Sequence, residues 1–150
     1  IYGNGLVWTA TGHGKTQLLA VRPDGRGDVT KTHLAYKIAS KDVPTTPSPV
    51  IVGDLLFMMG NRGALTCMEA ATGKILWRER IGGGYIASPI HDRERIYLFS
   101  TTGKTTVVRA ARSYQKLAEN ELESGFMASP AAHGDSLILR TKTHLYRISD

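Results

Sequence analysis

The stretch "SPVIVGDLLFMMGNRGALTCMEA", residues 48–70, occurs twice more in altered form along the chain. Its counterparts are "SPIHDRERIYLFSTTGKTTVVRA", residues 88–110, and "SPAAHGDSLILRTKTHLYRISD", residues 129–150. The Ser-Pro pairs are separated by 40 and then 41 residues. Eight positions after each serine stands an apolar residue, namely Leu56, Ile96 and Leu137. A repeat with a period of this length decides the architecture of a chain.

Each repeat unit predicts four short antiparallel strands. The first strand follows the Ser-Pro pair, where proline is tolerated because it need not donate a hydrogen bond. The second, third and fourth strands of the best-defined unit are predicted at residues 55–59, 64–69 and 74–80. A serine that recurs once per unit is interpreted as structural. Four strands in about 40 residues, repeated, are typical of a β-propeller blade.

The predicted fold class is therefore all-β, a partial β-propeller of four-stranded antiparallel blades with about 3.5 blades. We predict a single propeller segment over residues 1–150, with blades at residues 1–43, 44–84, 85–125 and 126–150. The first unit is predicted to lack its opening strand and the last to stop after its third, which gives 14 strands. The strand edges that a partial propeller leaves open carry unpaired backbone hydrogen-bonding groups, which other strands must cover. The expected partner is the rest of a propeller, from the same polypeptide or a second chain.

Composition and charge point to a globular protein rather than to a particular ligand. Apolar residues make up 41% of the chain and charged residues 21%, which is ordinary for such proteins. The net charge of +6 could suit an acidic partner, but lysine and arginine form no run, so nucleic acid is disfavoured as a partner. The single cysteine, Cys67, excludes an intrachain disulfide and is interpreted as a core residue. No segment has the length of a membrane span.

Glycine and lysine recur together in "TGHGKT" at residues 11–16, "ATGK" at 71–74 and "TTGKTT" at 101–106. A phosphate-binding loop of the Walker A type needs another glycine five residues before the glycine that precedes lysine. The residues at those positions are Thr9, Met68 and Leu98. The three segments are therefore predicted to be hairpin turns, in which glycine supplies a positive φ.

The segment "EAATGKILW", residues 69–77, resembles the tryptophan-docking motif of PQQ-like (quinoprotein-like) propeller repeats. In that family an acidic residue, a Thr-Gly turn and a tryptophan lock neighbouring blades together. The matching residues are Glu69, Thr72, Gly73 and Trp77, although the usual acidic residue is aspartate. The whole chain is similar to the C-terminal part of secreted bacterial PQQ-like repeat proteins, a group abundant in planctomycetes.

The resemblance implies two kinds of function. Some members are alcohol and glucose dehydrogenases that hold pyrroloquinoline quinone (PQQ) with Ca²⁺, and others are scaffolds such as the outer-membrane β-barrel assembly lipoprotein. The alcohol dehydrogenases carry an adjacent cysteine pair that a lone Cys67 cannot provide. We therefore expect a non-catalytic, cofactor-free scaffold that binds a protein or ligand in the periplasm or after secretion. A PQQ- and Ca²⁺-dependent dehydrogenase, with its cofactor residues in blades outside this chain, is the alternative.

The loop "RPDGRGDVTKTH", residues 22–33, is where the chain departs most from its own repeat. Insertions on a rigid scaffold commonly carry binding. Two aspartates within it offer oxygens to a hard cation but lack the further acidic ligands of a calcium loop, so an Asp-Gly turn is favoured. We predict no catalytic, cofactor or metal residue. The candidate binding loop comprises Arg22, Asp24, Arg26, Asp28, Lys31 and His33.

Overall fold

The computed structural model describes residues 1–12 and 15–149. These residues form fifteen strands in four antiparallel sheets, here called blades 1 to 4. Blade 1 contains β1 (Tyr2–Gly3), β2 (Leu6–Thr11), β3 (Gln17–Val21) and β4 (Leu34–Ala39). Blade 2 contains β5 (Val50–Val52), β6 (Leu55–Met59), β7 (Ala64–Glu69) and β8 (Ile75–Arg80). Blade 3 contains β9 (Ile90–Asp92), β10 (Arg95–Phe99), β11 (Lys104–Arg109) and β12 (Lys116–Glu121). Blade 4 contains β13 (Ala131–His133), β14 (Ser136–Arg140) and β15 (Leu145–Ser149).

Within each blade the strands are neighbours in chain order, so every sheet is a simple meander. This confirms the predicted class, an all-β chain of propeller blades. The second and third strands of blade 2 have the predicted bounds, and its fourth begins at Ile75, one residue later than predicted. The residue boundaries between blades remain a prediction.

The predicted absence of an opening strand in blade 1 is wrong. Tyr2 and Gly3 pair with Val7 and Leu6, so this sheet has four strands and the total is fifteen rather than 14. The turn between these strands is Asn4-Gly5, with φ of 44° and 73°. Two consecutive positive φ values suit the tight turn that Asn-Gly favours in β-hairpins. The prediction failed because it relied on the Ser-Pro pair, which this unit lacks, instead of the Asn-Gly turn.

Alternation along β6 explains why blade 2 is buried on both faces. Successive side chains of a strand point to opposite faces. Leu56 and Met58 pack with Trp8 of blade 1, whereas Leu55 and Phe57 pack with residues of blade 3. Because both faces meet a neighbouring sheet, the strand is apolar throughout rather than alternating with polar residues.

A smaller core joins blades 3 and 4. Phe99 and Phe126 meet edge to face with ring centroids 5.3 Å apart, and Leu139 of blade 4 packs against them. Such aromatic pairs contribute about 0.5–1.5 kcal/mol beyond their buried area.

The meander places the loops at two opposite ends of each blade. The turns after the first and third strands lie at one end, here called the turn face. The turns after the second strands and the connectors between blades lie at the other end, here called the connector face. At the connector face the Ser48 amide donates to Ser88 Oγ at 3.0 Å, and the Ser88 amide donates to Ser129 Oγ at 2.9 Å. The recurring serine therefore links each of these blades to the next.

The glycine-lysine segments are turns wherever the structure describes them fully. Residues 71–74 join β7 to β8 and residues 101–106 contain the turn from β10 to β11. Gly73 and Gly103 have φ of 72° and 103°, in the left-handed region. In "TGHGKT", His13 and Gly14 lie outside the described residues. Helices that could carry a phosphate loop do not occur in residues 1–12 and 15–149.

Candidate binding loop and inter-blade contacts

Trp77 reaches from the fourth strand of blade 2 to blade 3. Its Nε1 donates to the Ala111 carbonyl oxygen at 3.0 Å. Its ring lies 5.5 Å from the ring of Tyr114 in blade 3 and 5.9 Å from that of Phe57 in blade 2. The junction between these two sheets thus contains a hydrogen bond from the indole N–H as well as packing between aromatic rings.

Blade 1 makes the equivalent contact with a tyrosine. Tyr36 Oη donates to the Ala70 carbonyl oxygen of blade 2 at 2.7 Å and accepts from Trp8 Nε1 at 2.8 Å. Its ring lies against Gly73, where an added Cβ would stand 2.6 Å from Tyr36 Cε2. Burial raises the pKa of Tyr36, which keeps the hydroxyl protonated as a donor. Gly73 is therefore needed both for its φ and for the space that the tyrosine occupies.

Blade 3 lacks an aromatic residue at this position. Ala118 follows Trp77 by the same 41 residues that separate Trp77 from Tyr36, and it is exposed. A cavity of about 460 Å³ over this part of blade 3 is lined by Tyr97, Val107, Leu117 and Ala118 among others. The outer part of the junction between blades 3 and 4 is therefore packed less completely than the two junctions before it.

An ionic cluster on the turn face joins the same two blades as Trp77. Arg112 of blade 3 contacts Asp54 Oδ2 through Nη2 at 2.6 Å and Glu69 Oε1 through Nη1 at 3.1 Å. Thr72 Oγ1 donates to the other oxygen of Glu69 at 3.0 Å. These bonds from Arg112 and Thr72 lower the pKa of Glu69. Sequence reasoning missed Arg112 and Asp54, because neither belongs to the recognised motif.

The lowered pKa of Glu69 predicts a pH-dependent contribution to stability. A carboxylate with a depressed folded-state pKa stabilises the fold above its unfolded-state pKa, and this contribution is lost as the pH falls through the folded-state pKa. Wild type should therefore melt above Glu69→Gln at pH 7, and the difference should vanish towards pH about 3. Thermal melts at several pH values test this. Glu123→Gln, on an exposed connector, is the control for the substitution itself. A difference between wild type and Glu69→Gln that stays constant with pH would contradict the role given to Glu69.

The candidate loop, residues 22–33, is closed at its base by backbone and side-chain bonds. The Arg22 amide donates to the His33 carbonyl at 2.9 Å. In the shorter turn of blade 2, the Glu69 amide donates to the Lys74 carbonyl in the same way. Arg22 Nη2 also donates to the Thr32 carbonyl at 2.6 Å. The extra residues thus project from the turn face between two strands that stay paired.

The six predicted loop residues divide into two groups. Asp24 lies 3.4 Å from His33 Nε2, and Asp28 Oδ1 accepts the Thr30 amide at 3.0 Å. The bonds to Thr30 lower the pKa of Asp28, so this carboxylate serves the turn. Arg26 and Lys31 are exposed to solvent.

No group of three or more histidine, cysteine, aspartate or glutamate side chains in the described part of the chain is placed to hold a metal ion. Cys67 is buried, and its Sγ lies 3.7 Å from the Ala111 carbonyl oxygen that also accepts the Trp77 hydrogen bond. Burial raises the pKa of the Cys67 thiol to about 12. A neutral thiol in this setting is a small core group, as its apolar sequence context predicts.

The stacked sheets of three or four strands and the aromatic contacts between them define a β-propeller repeat protein of the PQQ-like type. A family model described as outer membrane protein assembly factor BamB matches residues 5–113, well over half of the chain. The chain belongs to this family, which confirms the resemblance to PQQ-like repeats. No helix of residues 1–12 and 15–149 is long and apolar enough to cross a membrane.

Individual relatives show how much of a longer protein this chain matches. It is 26% identical over 98 residues to the outer membrane protein assembly factor BamB of Escherichia coli (strain K12), which is 65% of this chain and 24% of that protein. The chain thus spans about a quarter of that curated relative's length.

Two solved structures share the fold. BamB from Moraxella catarrhalis aligns with a TM-score of 0.71 at 13% identity, over 99% of this chain and 43% of that one. A europium-containing methanol dehydrogenase aligns with a TM-score of 0.61 at 11% identity, over 79% of this chain and 23% of that one. At these identities the structures show a common propeller fold and nothing about activity.

Proposed function

We propose that the chain is part of a non-catalytic propeller scaffold that binds another protein outside the cytoplasm. Family membership carries this proposal, because the curated relatives are named outer membrane protein assembly factors. The same relationship supports a periplasmic or secreted location. The binding mechanism is surface complementarity on a rigid disc, with no chemical step.

The contacts between blades support a rigid binding surface. Trp77, Tyr36 and Arg112 each bond across a junction, at distances of 2.6–3.1 Å. Rigid scaffolds reduce the entropy lost on binding, since fewer groups become ordered. We infer that loop 22–33, which projects from this surface, is a contact region.

The alternative is a PQQ- and Ca²⁺-dependent dehydrogenase. The methanol dehydrogenase alignment is compatible with it at the level of the fold. The described residues supply no acidic cluster for the ion. Such an enzyme would have to hold its quinone and Ca²⁺ with residues outside this chain, whose contribution would be one segment of the propeller wall.

Charge reversal in the loop tests whether loop 22–33 is the contact region. Arg26→Glu with Lys31→Glu should abolish at least about 90% of the specific capture of solubilised Escherichia coli outer-membrane proteins by immobilised chain, since rim cations steer association. The matched control reverses Lys41 and Lys142, which lie at the connector face, and should retain capture.

Equal capture by both charge-reversed chains would place the contact elsewhere. A separate titration with PQQ and Ca²⁺, followed by the absorbance of bound quinone, tests the alternative. Saturable quinone binding by the chain would overturn the cofactor-free proposal.

A further inference from the structure

A cavity lies between blades 3 and 4, at the junction that is packed less completely than the two before it. Its volume is about 440 Å³, and its wall includes Tyr97 and Phe99 of blade 3 and Leu137 and Ile148 of blade 4. Ile148 is 44% exposed, whereas Val108, at the equivalent position in the junction between blades 2 and 3, is fully buried. Small-molecule sites commonly have volumes of about 300–1,000 Å³, so this cavity has the size of a binding site.

Polar residues replace apolar ones on the blade 3 side of this cavity. Leu55 and Leu65, both buried, belong to the core on the corresponding side of blade 2. Forty residues later, Arg95 and Thr105 stand at these positions and line the cavity. Polar side chains stabilise a core only when they are hydrogen-bonded, so packing between blades gives no reason for this exchange. The exchange is instead typical of a pocket that presents polar groups to a ligand.

Tyr97 has a hydroxyl that the described part of the chain does not use. The residue stands at the position of Phe57 and is half-buried in the cavity wall. The Tyr36 hydroxyl donates one hydrogen bond and accepts another, but the Tyr97 hydroxyl has no partner among residues 1–12 and 15–149. The side-chain amide of Asn120, which lines the same cavity, has no partner among those residues either. Both groups can therefore donate to and accept from a bound molecule.

Charges of both signs surround the end of the cavity at the turn face. Asp92 and Arg93 lie where β9 turns into β10, and Asp135 lies in the turn from β13 to β14, all three exposed. A ligand with a net charge of either sign would meet a like charge here, which opposes its binding. Carboxylates also accept hydrogen bonds from hydroxyl groups. These surroundings favour a neutral molecule that carries several hydroxyls.

The apolar part of the wall narrows the class of ligand further. Phe99, Leu137 and Leu139 lie deeper in the cavity and offer only apolar surface. A wholly apolar ligand would leave the Tyr97 hydroxyl and the Asn120 amide unpaired, which costs free energy. A sugar ring satisfies both requirements, because one face consists of C–H groups and its edge carries hydroxyls.

We propose that the cavity between blades 3 and 4 binds a neutral saccharide of one or two rings. The C–H face of the sugar packs against the ring of Tyr97 and against Leu137. Its hydroxyls bond to the Tyr97 hydroxyl, the Asn120 amide and the carboxylates of Asp92 and Asp135. The cavity shares no residue with loop 22–33 on blade 1, so this site does not rest on the proposed protein-binding function.

Titration with sugars tests the proposal. Maltose, cellobiose and N,N′-diacetylchitobiose are added separately to the chain, and binding is followed by the chemical shifts of its backbone amides. At least one disaccharide should bind saturably, with its largest shifts in β10, β12 and β14. Glucosamine and glucuronic acid, which are charged at pH 7, should bind more weakly than glucose. Binding of none of the disaccharides, largest shifts in other strands, or a preference for a charged sugar would overturn the proposal.

Variants of the cavity wall complete the test. Tyr97→Phe with Thr105→Leu gives the wall the residues that blade 2 carries, and it should lower the affinity for the best-bound disaccharide about tenfold or more. Asn120→Ala, at an exposed position, should lower it about threefold or more without depending on the core. Tyr2→Phe, 68% exposed on blade 1, is the control and should bind as wild type does.

Wild-type affinity in both cavity variants would overturn the proposal. Capture of outer-membrane proteins through loop 22–33 is measured separately, so either proposal can fail alone.

Discussion

Trp77→Ala is expected to lower the free energy of unfolding by about 3 kcal/mol, because the side chain is partly buried between two blades. The substitution removes the hydrogen bond to the Ala111 carbonyl and the ring contacts with Phe57 and Tyr114. It also leaves a space between the two sheets, and an unfilled space adds to the loss. Urea unfolding followed by circular dichroism measures the loss.

Two further variants separate the parts of this effect. Trp77→Phe keeps most of the apolar contact and loses the donor, so it should cost about 1 kcal/mol. Ile75→Ala, on the same strand but 41% exposed, should cost less than about 1 kcal/mol. If Trp77→Ala lowered the free energy of unfolding by less than Ile75→Ala does, the Trp77 contact would not hold the blades together.

Gly103→Ala is expected to destabilise the chain by about 3 kcal/mol or more, since it combines backbone strain with a clash. Gly103 has φ of 103°, and an added Cβ would stand 1.9 Å from the Leu122 carbonyl oxygen in the connector to blade 4. The Leu122 amide already donates to the Gly103 carbonyl at 3.0 Å, so neither backbone can withdraw without losing that bond. Thermal and urea unfolding of the variant measure the cost.

Gly134→Ala is the matched control for this substitution. Gly134 also has a positive φ, 54°, but a Cβ added there would have no atom within 4 Å. It should therefore cost only about 1 kcal/mol, the contribution of the backbone conformation. Equal losses for Gly103→Ala and Gly134→Ala would mean that the turn can move away from the connector and that φ alone matters.

The strands of blades 2 to 4 could be predicted because their pattern is local. Alternation, Ser-Pro openings and glycine turns all act within a few residues, and they place Leu55–Met59 and Ala64–Glu69 at their observed bounds. The opening strand of blade 1 could also have been found, because Asn4-Gly5 is a hairpin signal in its own right. It was missed because that unit departs from the repeat used to align it.

The candidate site was less predictable than the strands. The composition of loop 22–33 identifies a basic insertion, but only the structure shows that His33 and Asp24 meet at its base while Arg26 and Lys31 face solvent. Asp28 could have been a cation ligand from its sequence, and in the fold it accepts the Thr30 amide instead. Which carboxylate oxygens remain available to a cation depends on the hydrogen bonds that the loop makes within itself.

The sequence by itself determined that this chain consists of propeller blades, because strand and turn preferences repeat with the period of one sheet. Beyond the residues of the tryptophan-docking motif, the tertiary structure alone decided which side chains join one blade to the next. Arg112 meets Asp54 across 58 residues and Tyr36 meets Ala70 across 34, and no local pattern encodes either contact. It also decided that Gly103 is needed for space as well as for φ. These contacts depend on how sheets stack, and stacking is set by the packing of whole faces rather than by neighbouring residues in the chain.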